Sequence, residues 1–312
     1  MNGNFCCEWD LFCCVIISGA GLVSTLLKVG TGRFLAVNPS FLNGFVLSAD
    51  EFRSGLYIRY DLEPEHLIQN CDGITRKGKQ CHSKFSVDHA FECKTGGHIV
   101  SAHDEVRDTL FDFFTQTYPA SRCLKEPIVK DDNPITPDDA SFVTNGDNSI
   151  PLKRASQLRG DIAVQGFWSK SNLAIFDVRR CHTNAPSIKK SFSTPAKALA
   201  NAEKTKKEKY LKDCLAKNWH FSPFVVSIDG MLGNEANMIL KKLADDQAEK
   251  TGAPRSVLIN WLRTQLSFAL LRGNFRCLFG SRQSFFRHKM TLFEDEVFYN
   301  SQSQSFHQMN LL

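Results

Sequence analysis

Residues 159–181 read RGDIAVQGFWSKSNLAIFDVRRC. Two runs rich in Ala, Val, Ile and Phe, 160–167 and 172–181, are separated only by the turn WSKS, which is the pattern of two adjacent strands. Each run carries one acid, Asp161 near the start of the first and Asp177 near the end of the second. A lone acid at a strand end is ordinary turn chemistry. Two acids that neighbouring strands bring to the same end of a sheet are a costlier arrangement. Like charges a few ångströms apart need a proton or a cation to neutralise them. Oxygen ligands of this kind suit Mg²⁺ or Mn²⁺, and such a metal activates water for phosphodiester cleavage.

Downstream, a helix is expected over about 196–217, and its segment EKTKKEKYLKDCLAK (203–217) holds Lys204, Lys206, Lys207, Lys209, Lys212 and Lys217. A solvated helix face is the commoner reason for such a run; a polyanion partner is the other. Glu203, Lys206, Lys207 and Tyr210 follow one another at helical spacing and share a face. The stretch KRASQLR (153–159) adds Lys153, Arg154 and Arg159. A third strand is expected over 221–230, then a helix over 234–252 closed by Gly252, then a long apolar helix over 256–280. Upstream, 48–62 reads as a helix with Ser48 as N-cap and Glu51 three residues on. Residues 101–118 read as a helix with Val106, Leu110, Phe113 and Phe114 on one face. Residues 120–158 read as a long polar, irregular loop. The order of elements predicts an α/β domain with a smaller N-terminal partner organised around cysteines.

The chain has 312 residues, 42% hydrophobic and 23% charged, with a net charge of +5, ordinary values for a globular protein. Its 11 cysteines are an odd number in a long chain without a secretory signal. That usage favours a reducing compartment, nuclear or cytoplasmic and not secreted, where Cys with His means metal more often than disulfide. Residues 11–27 are apolar but slightly short for a membrane span, and acids rather than Lys or Arg precede them. They are expected to be a buried segment or the residue of an irregular gene start, with a membrane anchor as the less favoured reading. Cys71, Cys81, His89 and Cys93 form Cys-x9-Cys-x7-His-x3-Cys. One helical turn brings the His and the last Cys to a single ion, while the nine-residue insert must loop out. His82 is a possible substitute ligand, and zinc is the expected metal.

The ordered series LSADEFRSGLYIRYDLEP, the Cys/His run ending in FECKTGGHIVSAHDEVRD, RGDIAVQGFWSKSNLAIFDVRRC, AEKTKKEKY and WLRTQLSFALLRGNFRCLFGSR resembles the C-terminal region of non-LTR retrotransposon reverse-transcriptase polyproteins. There a Cys-Cys-His-Cys zinc knuckle precedes a restriction-endonuclease-like domain of the PD-(D/E)-x-K type. The resemblance covers roughly residues 40–285. It implies a mixed sheet flanked by helices, with 67–98 as the zinc knuckle and 99–285 as the endonuclease-like domain; composition makes residues 1–66 an apolar and helical segment and the Ser/Gln/Phe-rich 286–312 a disordered tail. It makes Asp161 and Asp177 the Mg²⁺ ligands, with Gly160 standing where the family has proline. Arg179 takes the usual lysine position, and since arginine does not titrate usefully, the lysine comes from the K-x-x-K-Y element of the next helix, Lys206 first and Lys209 second. Glu105 would be an assisting acid, although Ala102 stands where relatives carry arginine. Lys204, Lys207, Lys212, Arg159 and Arg179 would contact nucleic acid: DNA, with element RNA as a further partner. No Tyr-x-Asp-Asp polymerase motif is present. The expected function is therefore that of a detached, metal-dependent DNA endonuclease module. The alternatives are a catalytically inactive nucleic-acid-binding module or a retroelement remnant.

Overall fold

The computed structural model describes residues 31–75, 78–131 and 157–282. The apolar segment at 11–27, most of the irregular stretch between 120 and 158, and the tail after 285 lie outside them.

Ser48 caps the first helix, α1 (Ala49–Tyr60): its hydroxyl accepts from the Glu51 amide at 3.2 Å, and the Glu51 carboxylate accepts from the Ser48 amide at 2.8 Å. A short helix α2 (Val87–Glu92) and a long helix α3 (His98–Thr117) follow. The strands are β1 (Cys123–Lys125), β2 (Ile128–Lys130), β3 (Leu158–Arg159), β4 (Ile162–Gln165) and β5 (Leu173–Cys181). Then come α4 (Pro186–Ser191), α5 (Pro195–Ala216), β6 (His220–Ser227), α6 (Asn234–Thr251) and α7 (Arg255–Phe279).

Four strands make one mixed sheet in the order β1-β4-β5-β6, while β2 and β3 form a separate pair. β4 and β5 are antiparallel, with Ile162 opposite Phe176, and β5 and β6 are parallel, joined by the α4–α5 crossover. Pro223 sits within β6, which is tolerated because β6 is an outer strand of the sheet and the missing amide removes no ladder bond. The period of two along β5 decides which side chain faces which layer. Ala174, Phe176 and Val178 enter the main core with Val106, Leu110 and Phe114 of α3 and the apolar faces of α6 and α7. Ile175 faces the other way, against Tyr210 and Cys214 of α5, so its alternates Asp177 and Arg179 belong to the α5 side.

The Cys/His segment packs against this domain. Cys71, Phe85, Ala90 and Cys93 share a core with Ile228 just beyond β6 and Leu278 at the end of α7. Among the described residues no helix is long and apolar enough to cross a membrane.

Candidate functional site

Asp161 occupies a bend just before β4 but stays paired to β5: its amide donates to the Phe176 carbonyl at 3.0 Å. Its carboxylate reaches along β5 and accepts the Val178 amide at 2.6 Å. It therefore spans the strand position of Asp177. Gly160 makes this approach possible. A Cβ there would stand 2.5 Å from the Ile175 side chain, and the Gly160 amide donates to the Pro127 carbonyl at 3.0 Å. Proline could provide neither the space nor the donor.

Asp177 is almost fully buried and in ion-pair contact with the Lys206 ammonium from α5. The Lys206 ammonium meets its Oδ2. Burial, then the nearby Asp161 charge, push the Asp177 carboxyl above its usual range, with Lys206 pulling the other way. Asp161 is also desolvated, but His103, the Val178 amide and Lys206 together outweigh burial and hold it below the usual range. Two adjacent carboxylates are thus driven in opposite directions. Tyr210 closes the group from α5. Its hydroxyl donates to the Arg159 carbonyl at 2.9 Å and accepts from the Lys209 ammonium at 3.0 Å. Burial and the Asp177 charge raise the phenol well above its ordinary value, which keeps it protonated.

The sequence reading passed over His103. Its Nε2 lies 3.3 Å from Asp161 Oδ2 and 3.3 Å from the Val178 carbonyl. Burial lowers its affinity for a proton, but Asp161 and Asp104 outweigh this and the net shift is upward. The signal was available: His103 precedes Val106 and Leu110 by three and seven residues, placing a polar ring at the head of the apolar stripe of α3.

Other expected residues go elsewhere. Glu105 is paired with Arg276 of α7 at 2.6 Å, away from Asp161. Glu203 accepts the Glu235 amide at 2.9 Å and so caps α6, and Lys207 pairs with Glu235. Lys204 is exposed and pairs with Glu208 at 3.8 Å, and Lys212 is exposed. Arg159 is exposed and donates to the Gln157 side chain at 2.6 Å. Arg179 lines a cleft of about 450 Å³ together with His103, Lys206 and Lys209.

No known protein-family model matches this chain, and no curated protein matches it. The chemistry of the residues therefore carries the functional argument.

The second centre is the Cys/His cluster. The nine-residue insert forms a hairpin: the Cys71 amide donates to the Ser83 carbonyl at 2.9 Å and the Cys81 amide to the Gly73 carbonyl at 2.8 Å. The hairpin brings Cys71 and Cys81 together despite their spacing, and α2 supplies His89 one turn before Cys93. All four ligand atoms lie within 4.8 Å of one another. Cys71 Sγ and Cys93 Sγ are 3.8 Å apart, and Cys81 Sγ is 3.6 Å from His89 Nε2. Tetrahedral zinc, with Zn–S near 2.3 Å and Zn–N near 2.0 Å, requires separations of about 3.5–3.8 Å. The cluster therefore fits a metal such as zinc. His82 is not part of it. Burial raises the Cys71 thiol, whereas hydrogen bonds from Ser83 lower Cys81. Among the described residues this is the one cluster of three or more metal-ligating groups.

Proposed function

We propose that this chain is a metal-dependent DNA endonuclease of restriction-endonuclease-like type, the activity that its resemblance to non-LTR retrotransposon proteins implies. One observation carries the reading: Lys206 of α5 pairs with Asp177 of β5, and Asp161, in the bend before β4, interacts electrostatically with both. Proteins bind Mg²⁺ through one or two carboxylates and leave the remaining positions to water and substrate phosphate. Asp161 and Asp177 suit that role, with Lys206 as the charge partner of Asp177 when no metal is bound. Bound Mg²⁺ or Mn²⁺ would supply an activated water and stabilise the charge on phosphorus. In the reaction the water oxygen adds to phosphorus, the bond from phosphorus to one sugar oxygen breaks, and that oxygen leaves as an alcohol after taking a proton. Lys206 offsets phosphate charge, and His103 holds Asp161 in place. The Cys/His cluster would carry structural Zn²⁺, and DNA, with the RNA of the parent element, would be the partner of a nuclear or cytoplasmic protein.

The test is nicking of plasmid DNA in Mg²⁺ and in Mn²⁺ by wild type and Asp177→Ala. Metal-stimulated nicking lost in the variant is expected. Strong binding with no cleavage of duplex, branched or single-stranded DNA would instead identify an inactive binding module.

A further inference from the structure

The cleft lined by His103 and Lys206, which contact Asp161 and Asp177, carries two unlike sets of side chains. α5 contributes Lys206 and Lys209, and β5 contributes Arg179. Phe91 of α2, His182 and Ile99 line the same cleft. The Phe91 and His182 rings lie 5.2 Å apart at 60°. His182 is fixed by a 3.0 Å contact from its Nε2 to the Asp88 carboxylate, and Asp88 and Phe91 flank the metal-cluster residue His89 on the same short helix. Phe91 is only half-buried, so part of its ring faces the cleft.

A phosphate site needs cations and donors; it has no use for an aromatic wall. An intact duplex offers such a cleft only sugar and phosphate, because its bases are stacked inside. An unpaired nucleotide offers both a phosphate and a free base face, and base–aromatic stacking beside a basic groove is how single strands are held. We infer that this cleft seats one unpaired nucleotide, its phosphate toward Lys206 and Lys209 and its base against Phe91 and His182, so that the substrate is single-stranded or locally splayed DNA. The inference deepens the endonuclease reading by naming its substrate, but the binding preference stands whether or not the site cuts.

The experiment is fluorescence anisotropy of a labelled single-stranded oligonucleotide and of the blunt duplex of the same sequence, in Ca²⁺, with the full chain as wild type, Phe91→Leu and Phe91→Trp. Leucine keeps the apolar packing and removes stacking; tryptophan keeps stacking. Wild type is expected to favour the single strand. Phe91→Leu should weaken that complex by roughly 5- to 150-fold, the equivalent of one stacked base, and change duplex binding less than 2-fold, while Phe91→Trp restores affinity. Tighter binding of duplex than of single strand by wild type, or equal loss on both substrates in Phe91→Leu, overturns the inference. Failure to nick plasmid refutes only the endonuclease reading.

Discussion

Replacing Lys206 by methionine keeps the stem of the side chain and removes only its ammonium. Asp177 is 3% exposed, and the Lys206 side chain is 20% exposed. Removing one partner of a buried pair strands the other charge, at a cost of about 3–5 kcal/mol. A second bound comes from the proton. Asp177 can escape its stranded charge by binding one, and at pH 7 that costs about 1.36 kcal/mol for each unit above its unfolded pKa of about 3.9. The ceiling is therefore about 4 kcal/mol at pH 7 and about 1.5 kcal/mol at pH 5. The sign follows from proton counts. In the variant the folded pKa is raised, so between pH 3.9 and the folded pKa the native state holds a proton that the unfolded chain has lost, and stability falls as pH rises. Urea unfolding in Mg²⁺-free buffer should show Lys206→Met destabilised by about 3–4 kcal/mol at pH 7 and by less than half of that at pH 5. Asp177→Asn, which removes the costly charge and leaves a lysine able to turn toward solvent, should lose less than about 1 kcal/mol. Equal losses in Lys206→Met at both pH values, or a loss below about 1 kcal/mol at pH 7, would refute the claim that this ammonium neutralises a buried carboxylate.

Stripping the Cys/His cluster with a zinc chelator should release one zinc per chain and lower the melting temperature, because the cluster shares its core with Ile228 and Leu278; in Cys93→Ser the metal content by mass spectrometry should fall to near zero. Gly160→Pro removes the bond to Pro127 and collides with Ile175, so denaturant unfolding should report a loss of about 2–4 kcal/mol. Glu105→Gln should cost about 1–3 kcal/mol in urea unfolding by removing the charge that Arg276 pairs with; any metal-stimulated nicking should keep its Mg²⁺ dependence, and a shifted dependence at unaltered stability would place Glu105 at the proposed metal site.

The regular elements were legible where the pattern is long. The two strands at 160–181, the helices at 195–216, 234–251 and 255–279, and the Ser48 capping box all follow from alternation, helical period and end signals. Strands β1 and β2 were not, since three residues on either side of Glu126 and Pro127 carry no measurable alternation, and only pairing with β4 and β3 makes them strands. The Cys-x9-Cys spacing required its insert to loop out without saying how; the backbone bonds between 71–73 and 81–83 close it as a hairpin.

The site itself was half legible, and the division has a physical origin. Asp161, Asp177 and Lys206 are neighbours through a hairpin and a crossover, connections that local sequence specifies. Which lysine of the helix reaches the sheet was a matter of phase: α5 buries Ala202, Tyr210 and Cys214, and Lys206 lies midway along that stripe, whereas Lys204 and Lys212 fall on the opposite, exposed side. Charge alone therefore overstated the helix's part in binding, because Lys207 is committed to Glu235 and Glu203 to the start of α6. His103 and Phe91 come from α3 and α2, distant in sequence from the acids, and reach the cleft only through tertiary packing, whereas His182 lies just beyond the end of β5. That packing supplies the aromatic part of the cleft lining, which is therefore encoded less locally than the two carboxylates beside it.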